Sequence, residues 1–120
     1  MQGFREKLES YGSDYEETMG RFLGDETFYL KILGMLMKDE SMGKLRDALD
    51  SKDMEAAFDA AHTLKGIAGN LGLTPFYTAV GTMVEALRDR DPDRDYPALY
   101  QRVEAEYKKV ELLRNSLCEI

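Results

Sequence analysis

Apolar residues recur every three or four positions along most of this chain, and no stretch alternates apolar and polar residues as a half-buried β-strand would. The three prolines and most of the ten glycines fall between segments of this helical period. Because glycine and proline interrupt helices, they divide the chain into helical segments with short connections. The sequence therefore predicts an all-α protein, an up-and-down four-helix bundle with short additional N-terminal helices.

Two short helices are predicted within residues 1–24, as a helical cap on the bundle. The first covers residues 2–11. The second runs from residue 14 to about residue 22, where Ser13 and Glu16 have the spacing of a capping box.

The bundle is predicted over residues 25–118, and with the cap it forms a single domain of residues 1–120, as expected for a chain of this length. Asp25 can cap the first bundle segment, residues 25–50, which is either a helix pair or one helix kinked near Glu40. The next helix is predicted from about Asp53 to Leu71. Another begins with Thr74 as N-cap and Pro75 in the first turn. After a charged turn over residues 88–95, the last helix begins near Pro97.

Helical spacing also predicts which side chains face the core. In the first bundle segment the predicted inward residues are Phe28, Ile32, Leu33 and Leu36. Tyr29 is expected at the edge of the core with its hydroxyl in water.

Composition disfavours several classes of function. The chain has 23 acidic and 16 basic residues, and a net charge of −7 is unlike that of proteins that bind nucleic-acid phosphates through clustered Lys and Arg. Its one cysteine, Cys118, can form no internal disulfide, and with the only histidine, His62, it cannot build a zinc site. The longest apolar stretch, residues 29–37, contains Lys31 and is too short to span a bilayer, and the N-terminus has no basic region leading into an apolar one.

These observations predict a cytoplasmic protein without a metal, a cofactor, a nucleic-acid partner or membrane contact. A closed bundle without a large apolar excess predicts a monomer.

The segment around His62 contains two glycines that stability alone does not explain. Each glycine inside a helix costs about 1 kcal/mol relative to alanine. At about 100° per residue, His62, Gly66 and Gly69 share one helix face, beside the apolar stripe. Because the residue at i+4 normally covers a helical side chain, Gly66 leaves the imidazole open to a large partner. Gly69, on the same face, is also predicted to keep the site accessible.

Lys65 lies three residues after His62 and can bring a flexible ammonium to any anion attached to the ring. Histidine is mostly neutral at pH 7 and is then nucleophilic. A reactive histidine, a nearby cation and an open face together predict a phosphoryl acceptor.

Residues His62-x-Leu64-Lys65-Gly66, with Gly72 closing the helix, resemble the signature of histidine-containing phosphotransfer (HPt) domains. Asp53, residues 70–73 and the Thr74-Pro75 helix ending in Glu85-Ala86-Leu87-Arg88 are also similar, so the resemblance covers about residues 25–88. It implies that His62 is phosphorylated, that Lys65 stabilises the phosphoryl group and that Gly66 keeps it accessible.

The resemblance implies a phosphocarrier in a phosphorelay. The phosphoryl group would arrive from the aspartyl phosphate of one receiver domain and leave to the aspartate of another. The implied partners are receiver domains of response regulators and of a hybrid histidine kinase, which supply the Mg²⁺. The chain itself has no glycine-rich nucleotide loop and no acidic metal cluster, so the sequence predicts a carrier without kinase activity.

One position departs from the family pattern. Members often carry an acidic or amide residue on the next helix where this chain has Val84, with Glu85 adjacent. A hydrogen bond from that helix to the His62 ring is therefore not assumed.

Two alternatives compete with the phosphocarrier. Residues 67–75 resemble the turn of a helix-turn-helix DNA-binding motif, but residues 66–87 contain no Lys or Arg to contact phosphates or bases. The other alternative is a non-catalytic helical adaptor that binds a receiver domain without phosphotransfer, in which His62 is incidental.

Overall fold

The computed structural model describes residues 3–119, which form seven α-helices and no β-strand. The helices are α1 (Phe4–Tyr11), α2 (Tyr15–Gly20), α3 (Glu26–Lys38), α4 (Ser41–Asp50), α5 (Met54–Asn70), α6 (Thr74–Asp89) and α7 (Tyr96–Leu117). The predicted all-α bundle is confirmed. The predicted start of the first helix at residue 2 lies outside the described residues.

Helix α5 packs between α4 and α6, and α7 closes the bundle against α6, α3 and α4. Residues 25–50 form a helix pair, because Asp39 leaves the helical conformation with ψ 140° and its carboxylate accepts a hydrogen bond from the Ser41 amide at 2.7 Å. Helix α1 packs on α7 and contacts α2. Within residues 3–119, every helix is too short or too polar to span a bilayer.

One hydrophobic core joins the N-terminal helices to the bundle. Buried side chains from α1 and the α2 region, including Phe4, Leu8 and Met19, belong to the same cluster as those of the longer helices. Helix α5 contributes mainly small residues, Ala57, Ala60, Ala61 and Ala68, around a fully buried Leu64. Small side chains let neighbouring helices approach α5 closely.

The inward face of α3 differs from the prediction by one position. Tyr29, predicted at the core edge, is fully buried, while Phe28 is 46% exposed. Tyr29 shares its face with Leu33 and Leu36 at i+4 and i+7, and Phe28 lies about 100° away from it. The buried Tyr29 hydroxyl donates a hydrogen bond to the Leu71 carbonyl at 2.7 Å, which satisfies a terminal carbonyl of α5.

Several predicted helix boundaries differ from the observed ones by one or two residues; α2, for example, ends at Gly20 and not near residue 22. The N-cap of α2 is Asp14, whose carboxylate accepts from the Glu17 amide at 3.1 Å, because the Ser13 hydroxyl is buried 3.0 Å from that of Thr18. The N-cap of α6 is the fully buried Leu73, so Thr74 is the first helical residue. Helix α6 continues through residues 88 and 89, until Arg90 adopts a left-handed conformation with φ 52°.

Burial makes Tyr29 a source of alkaline instability. Desolvation raises the pKa of its hydroxyl well above the usual value near 10, so the folded protein keeps a proton that the unfolded chain releases. The free energy of unfolding should therefore fall above about pH 10, by up to about 1.4 kcal/mol per pH unit for each such tyrosine. Burial also raises the pKa of Tyr11, which adds to the slope.

We expect Tyr29→Phe to flatten this alkaline slope. The variant should lose about 1 kcal/mol near pH 8, because the Leu71 carbonyl loses its partner, and should then lose less stability than the wild type at higher pH. Urea unfolding measured from about pH 8 to about pH 11 tests this. An alkaline slope equal to that of the wild type would contradict the assignment.

Candidate functional site

The candidate site lies on the exposed flank of α5. This helix begins after Asp53, whose carboxylate accepts from the Ala56 amide at 3.1 Å. Its apolar stripe points into the core, and His62 and Gly66 are exposed beside it. The helical spacing of the sequence is thus sufficient to put the imidazole at the surface.

The four residues predicted from the sequence line one shallow cleft. These residues are His62, Lys65, Gly66 and Gly69, and the cleft also contains Arg21, Asn70 and Tyr77. A Cβ atom built on Gly66 would meet nothing within 4 Å. The face of α5 at Gly66 is therefore open to the approach of a large partner.

Lys65 brings a positive charge to this cleft. Its side chain is half-buried, and its Nζ lies 5.6 Å from the centroid of the Tyr77 ring, within the range of a cation–π contact. Among residues 3–119 the ammonium has no ion-pair partner. An incoming anion would not have to displace a carboxylate from it.

Gly69 has a packing contact that the sequence did not reveal. A Cβ atom at this position would lie 3.2 Å from Cε2 of Tyr77, which is tighter than ordinary packing. The missing side chain lets the Tyr77 ring, 40% exposed, lie against α5 below the Lys65 ammonium. The predicted role of Gly69 in keeping the histidine accessible stays a prediction.

Arg21 is a cleft residue that the sequence did not predict. Its Nη1 donates hydrogen bonds to the carbonyls of Gly69 at 3.0 Å and Asn70 at 3.3 Å, and its Nη2 lies 2.9 Å from Glu17. A cation at the C-terminal end of α5 interacts favourably with the helix dipole. Because Arg21 is 48 residues before Gly69, no local spacing could have indicated it.

The His62 ring contacts an aromatic ring instead of a polar group. Phe58 stacks on it, with ring centroids 5.8 Å apart and an interplanar angle of 27°. Val84 on α6 is fully buried, and Glu85 pairs with Arg88 at 2.6 Å. Within residues 3–119 the imidazole makes no hydrogen bond.

The described residues contain no group of three or more His, Cys, Asp or Glu side chains that could hold a metal ion. The chemistry of the cleft is that of one imidazole beside two cations.

A family model for the Hpt domain matches residues 38–116, which is more than half of the chain and includes His62 and Lys65. The chain belongs to the Hpt domain family. No curated protein and no solved structure matches it significantly. Hpt domains are phosphocarriers in phosphorelays, not kinases, and they interact with receiver domains.

Membership gives this Hpt domain a histidine phosphotransfer role. The matched region contains helices α4 to α7 nearly completely, whereas Arg21 lies outside it. Arg21, the second cation of the cleft, therefore comes from the C-terminal end of α2, which precedes the matched residues.

Proposed function

We propose that His62 is the phosphorylated residue, and that the chain takes a phosphoryl group from the aspartate of one receiver domain and passes it to the aspartate of another. The observation that carries this proposal is that the only histidine of the chain lies exposed in a cleft beside an unpaired ammonium and an open glycine. The proposed partners are receiver domains of response regulators and of a hybrid histidine kinase.

In the accepting step, the unprotonated ring nitrogen of His62 attacks the phosphorus of an aspartyl phosphate. The N–P bond forms as the P–O bond to the aspartate breaks, and the electron pair stays on the aspartate as a carboxylate. The other ring nitrogen keeps its proton during the attack. In the donating step, a carboxylate oxygen of the second receiver attacks the same phosphorus, and the electron pair of the N–P bond returns to the imidazole.

We assign Lys65 to stabilisation of the phosphoryl group. The side chain follows His62 by three residues on the same face, and its ammonium has no competing carboxylate in the described structure. A phosphoryl group carries close to two negative charges, which a nearby ammonium stabilises. On a protein of net charge −7, this local positive charge favours the phosphoryl group at the cleft.

The test is incubation of the protein with phosphorylated receiver domains and Mg²⁺, followed by mapping of the modified residue. We expect one phosphoryl group on His62 that is labile in acid and stable in alkali. We also expect this group to be transferred to a second receiver domain when one is added. Binding of these receivers without any transfer would overturn the proposal and would support the adaptor. A phosphoryl group on another residue would also overturn it.

The open space at Gly66 gives a prediction with a matched control. Gly66 and Gly43 both lie inside helices, and a Cβ atom at either position meets nothing within 4 Å. The protein should therefore fold with glutamate at either position. We expect Gly66→Glu to transfer phosphate about 100-fold more slowly, because bulk and negative charge occupy the approach to His62. Gly43→Glu should transfer at the wild-type rate.

The transfer rates of both variants are measured from reactions with phosphorylated receiver that are quenched at successive times. Circular dichroism checks that both variants are folded. A Gly66→Glu protein with wild-type transfer would show that the receiver does not approach over this face of α5.

A further inference from the structure

Transfer requires that a ring nitrogen of His62 point at the phosphorus within a small range of angles. An exposed imidazole rotates freely about two bonds unless neighbouring groups restrict it. In the described structure no hydrogen bond fixes this ring. Another contact must therefore define its orientation.

Phe58 provides that contact. It lies one helical turn before His62 on α5, and side chains of a helix lean toward the preceding turn. The two rings are nearly parallel, with an interplanar angle of 27° and centroids 5.8 Å apart. A flat neighbour at this distance restricts rotation of the imidazole plane.

Phe58 is itself held in place. It is half-buried and packs against the hydrophobic core. The guanidinium carbon of Arg88, in the last turn of α6, lies 5.9 Å from the centroid of its ring, and Arg88 is paired with Glu85 at 2.6 Å. The contact from α6 thus reaches the histidine through an arginine and an aromatic ring, whereas Val84 is buried and offers no polar atom.

We propose that Phe58 is a positioning residue for phosphotransfer, and that Arg88 positions Phe58. Stacking on Phe58 holds the imidazole plane so that its reactive nitrogen faces the incoming phosphorus. Arg88 supports the stack through its cation–π contact. The inference rests on the proposed acceptor role of His62.

The experiment compares Phe58→Leu, which removes the ring, with Phe58→Tyr, which keeps it. Single-turnover transfer is measured at increasing concentrations of phosphorylated receiver. We expect the maximal rate to fall about tenfold in Phe58→Leu and to stay within about twofold in Phe58→Tyr, with the half-saturating receiver concentration unchanged in both. A rise in the half-saturating concentration alone would make Phe58 a docking residue and overturn the inference.

A second readout does not depend on activity. The ring current of Phe58 displaces the His62 ring-proton signals in the NMR spectrum, and we expect them to move toward the values of an unstacked histidine in Phe58→Leu but not in Phe58→Tyr. Unchanged signals in Phe58→Leu would also overturn the inference.

Arg88→Gln tests the support without altering the core, since its side chain is 51% exposed. We expect a smaller fall in the maximal rate, and none in Arg46→Gln, which removes the same charge from an exposed site on α4. Equal rates for Arg88→Gln and Arg46→Gln would exclude the role of Arg88. If the wild-type protein accepts no phosphoryl group, the proposed function is overturned. If the wild type is phosphorylated and the maximal transfer rate of Phe58→Leu equals that of the wild type, only the positioning role is overturned.

Discussion

Glutamine in place of His62 should give a folded protein that accepts no phosphoryl group from any receiver domain. Glutamine is similar in size to histidine and is a good helix former, but its amide nitrogen is not a nucleophile. Because His62 is exposed, makes no hydrogen bond in the described structure and loses only its stacking contact with Phe58, the free energy of unfolding should change by no more than about 1 kcal/mol. Transfer should fall to the background of the assay, since the chain has no other histidine.

Thr63→Gln is the matched control for this variant. Thr63 is the next residue of α5, is also exposed and lies off the cleft. The Thr63→Gln protein should accept a phosphoryl group at the wild-type rate. Both glutamine variants should bind a receiver domain with the affinity of the wild type. Equal labelling of His62→Gln and Thr63→Gln would show that another residue carries the phosphoryl group.

The sequence was sufficient for the part of the site that lies on one helix. His62, Lys65, Gly66 and Gly69 fall within eight consecutive residues, so helical geometry alone predicts that they share a surface. The structure brings all four into the same cleft. Their chemical roles are predictions from that arrangement.

The rest of the site depends on tertiary packing. Arg21 and Tyr77 reach the cleft from other parts of the chain, and their approach depends on how α2 and α6 cross α5. Phe58 lies four residues before His62, but it belongs to the apolar stripe of α5, and helical spacing alone therefore indicates only a core residue. Arg88 reaches it from the end of α6, which extends two residues into the predicted turn.

The errors in the fold have a similar cause. Phe28 and Tyr29 are adjacent aromatic residues, and either can begin an apolar stripe on α3. The buried position went to the residue whose hydroxyl reaches the Leu71 carbonyl, a partner 42 residues away. Ser13 and Asp14 are both good N-caps, and the packing of Thr18 against Ser13 leaves Asp14 to cap α2.

Alanine at Gly72 should strongly destabilise the fold, because both the backbone conformation and a neighbouring side chain require glycine there. Gly72 joins α5 to α6 with φ +65°, a conformation that costs alanine about 1 kcal/mol or more. A Cβ atom there would also overlap Oγ1 of Thr18 and lie 2.9 Å from its Cβ and Cγ2. Thr18 is buried, so α2 would have to move, and we expect a total loss of about 3 kcal/mol or more in urea unfolding.

Gly24→Ala separates the backbone contribution from the steric one. Gly24 has φ +74°, and a Cβ atom there meets nothing within 4 Å, so its alanine variant should lose only about 1 kcal/mol. Similar losses at Gly24 and Gly72 would show that α2 adjusts to the added methyl group at little cost.

A double-mutant cycle with Thr18→Ala measures the steric contribution directly. Thr18→Ala alone should cost about 1 kcal/mol, because the buried Ser13 hydroxyl loses its partner. Combined with Gly72→Ala it removes Oγ1 and Cγ2, so the double variant should be more stable than the sum of the single losses by about 1 to 2 kcal/mol. Additive losses would contradict the proposed contact. If the coupling is found, the close approach of α2 to the α5–α6 turn depends on Gly72, and that approach is also what brings Arg21 to the Gly69 and Asn70 carbonyls in the cleft.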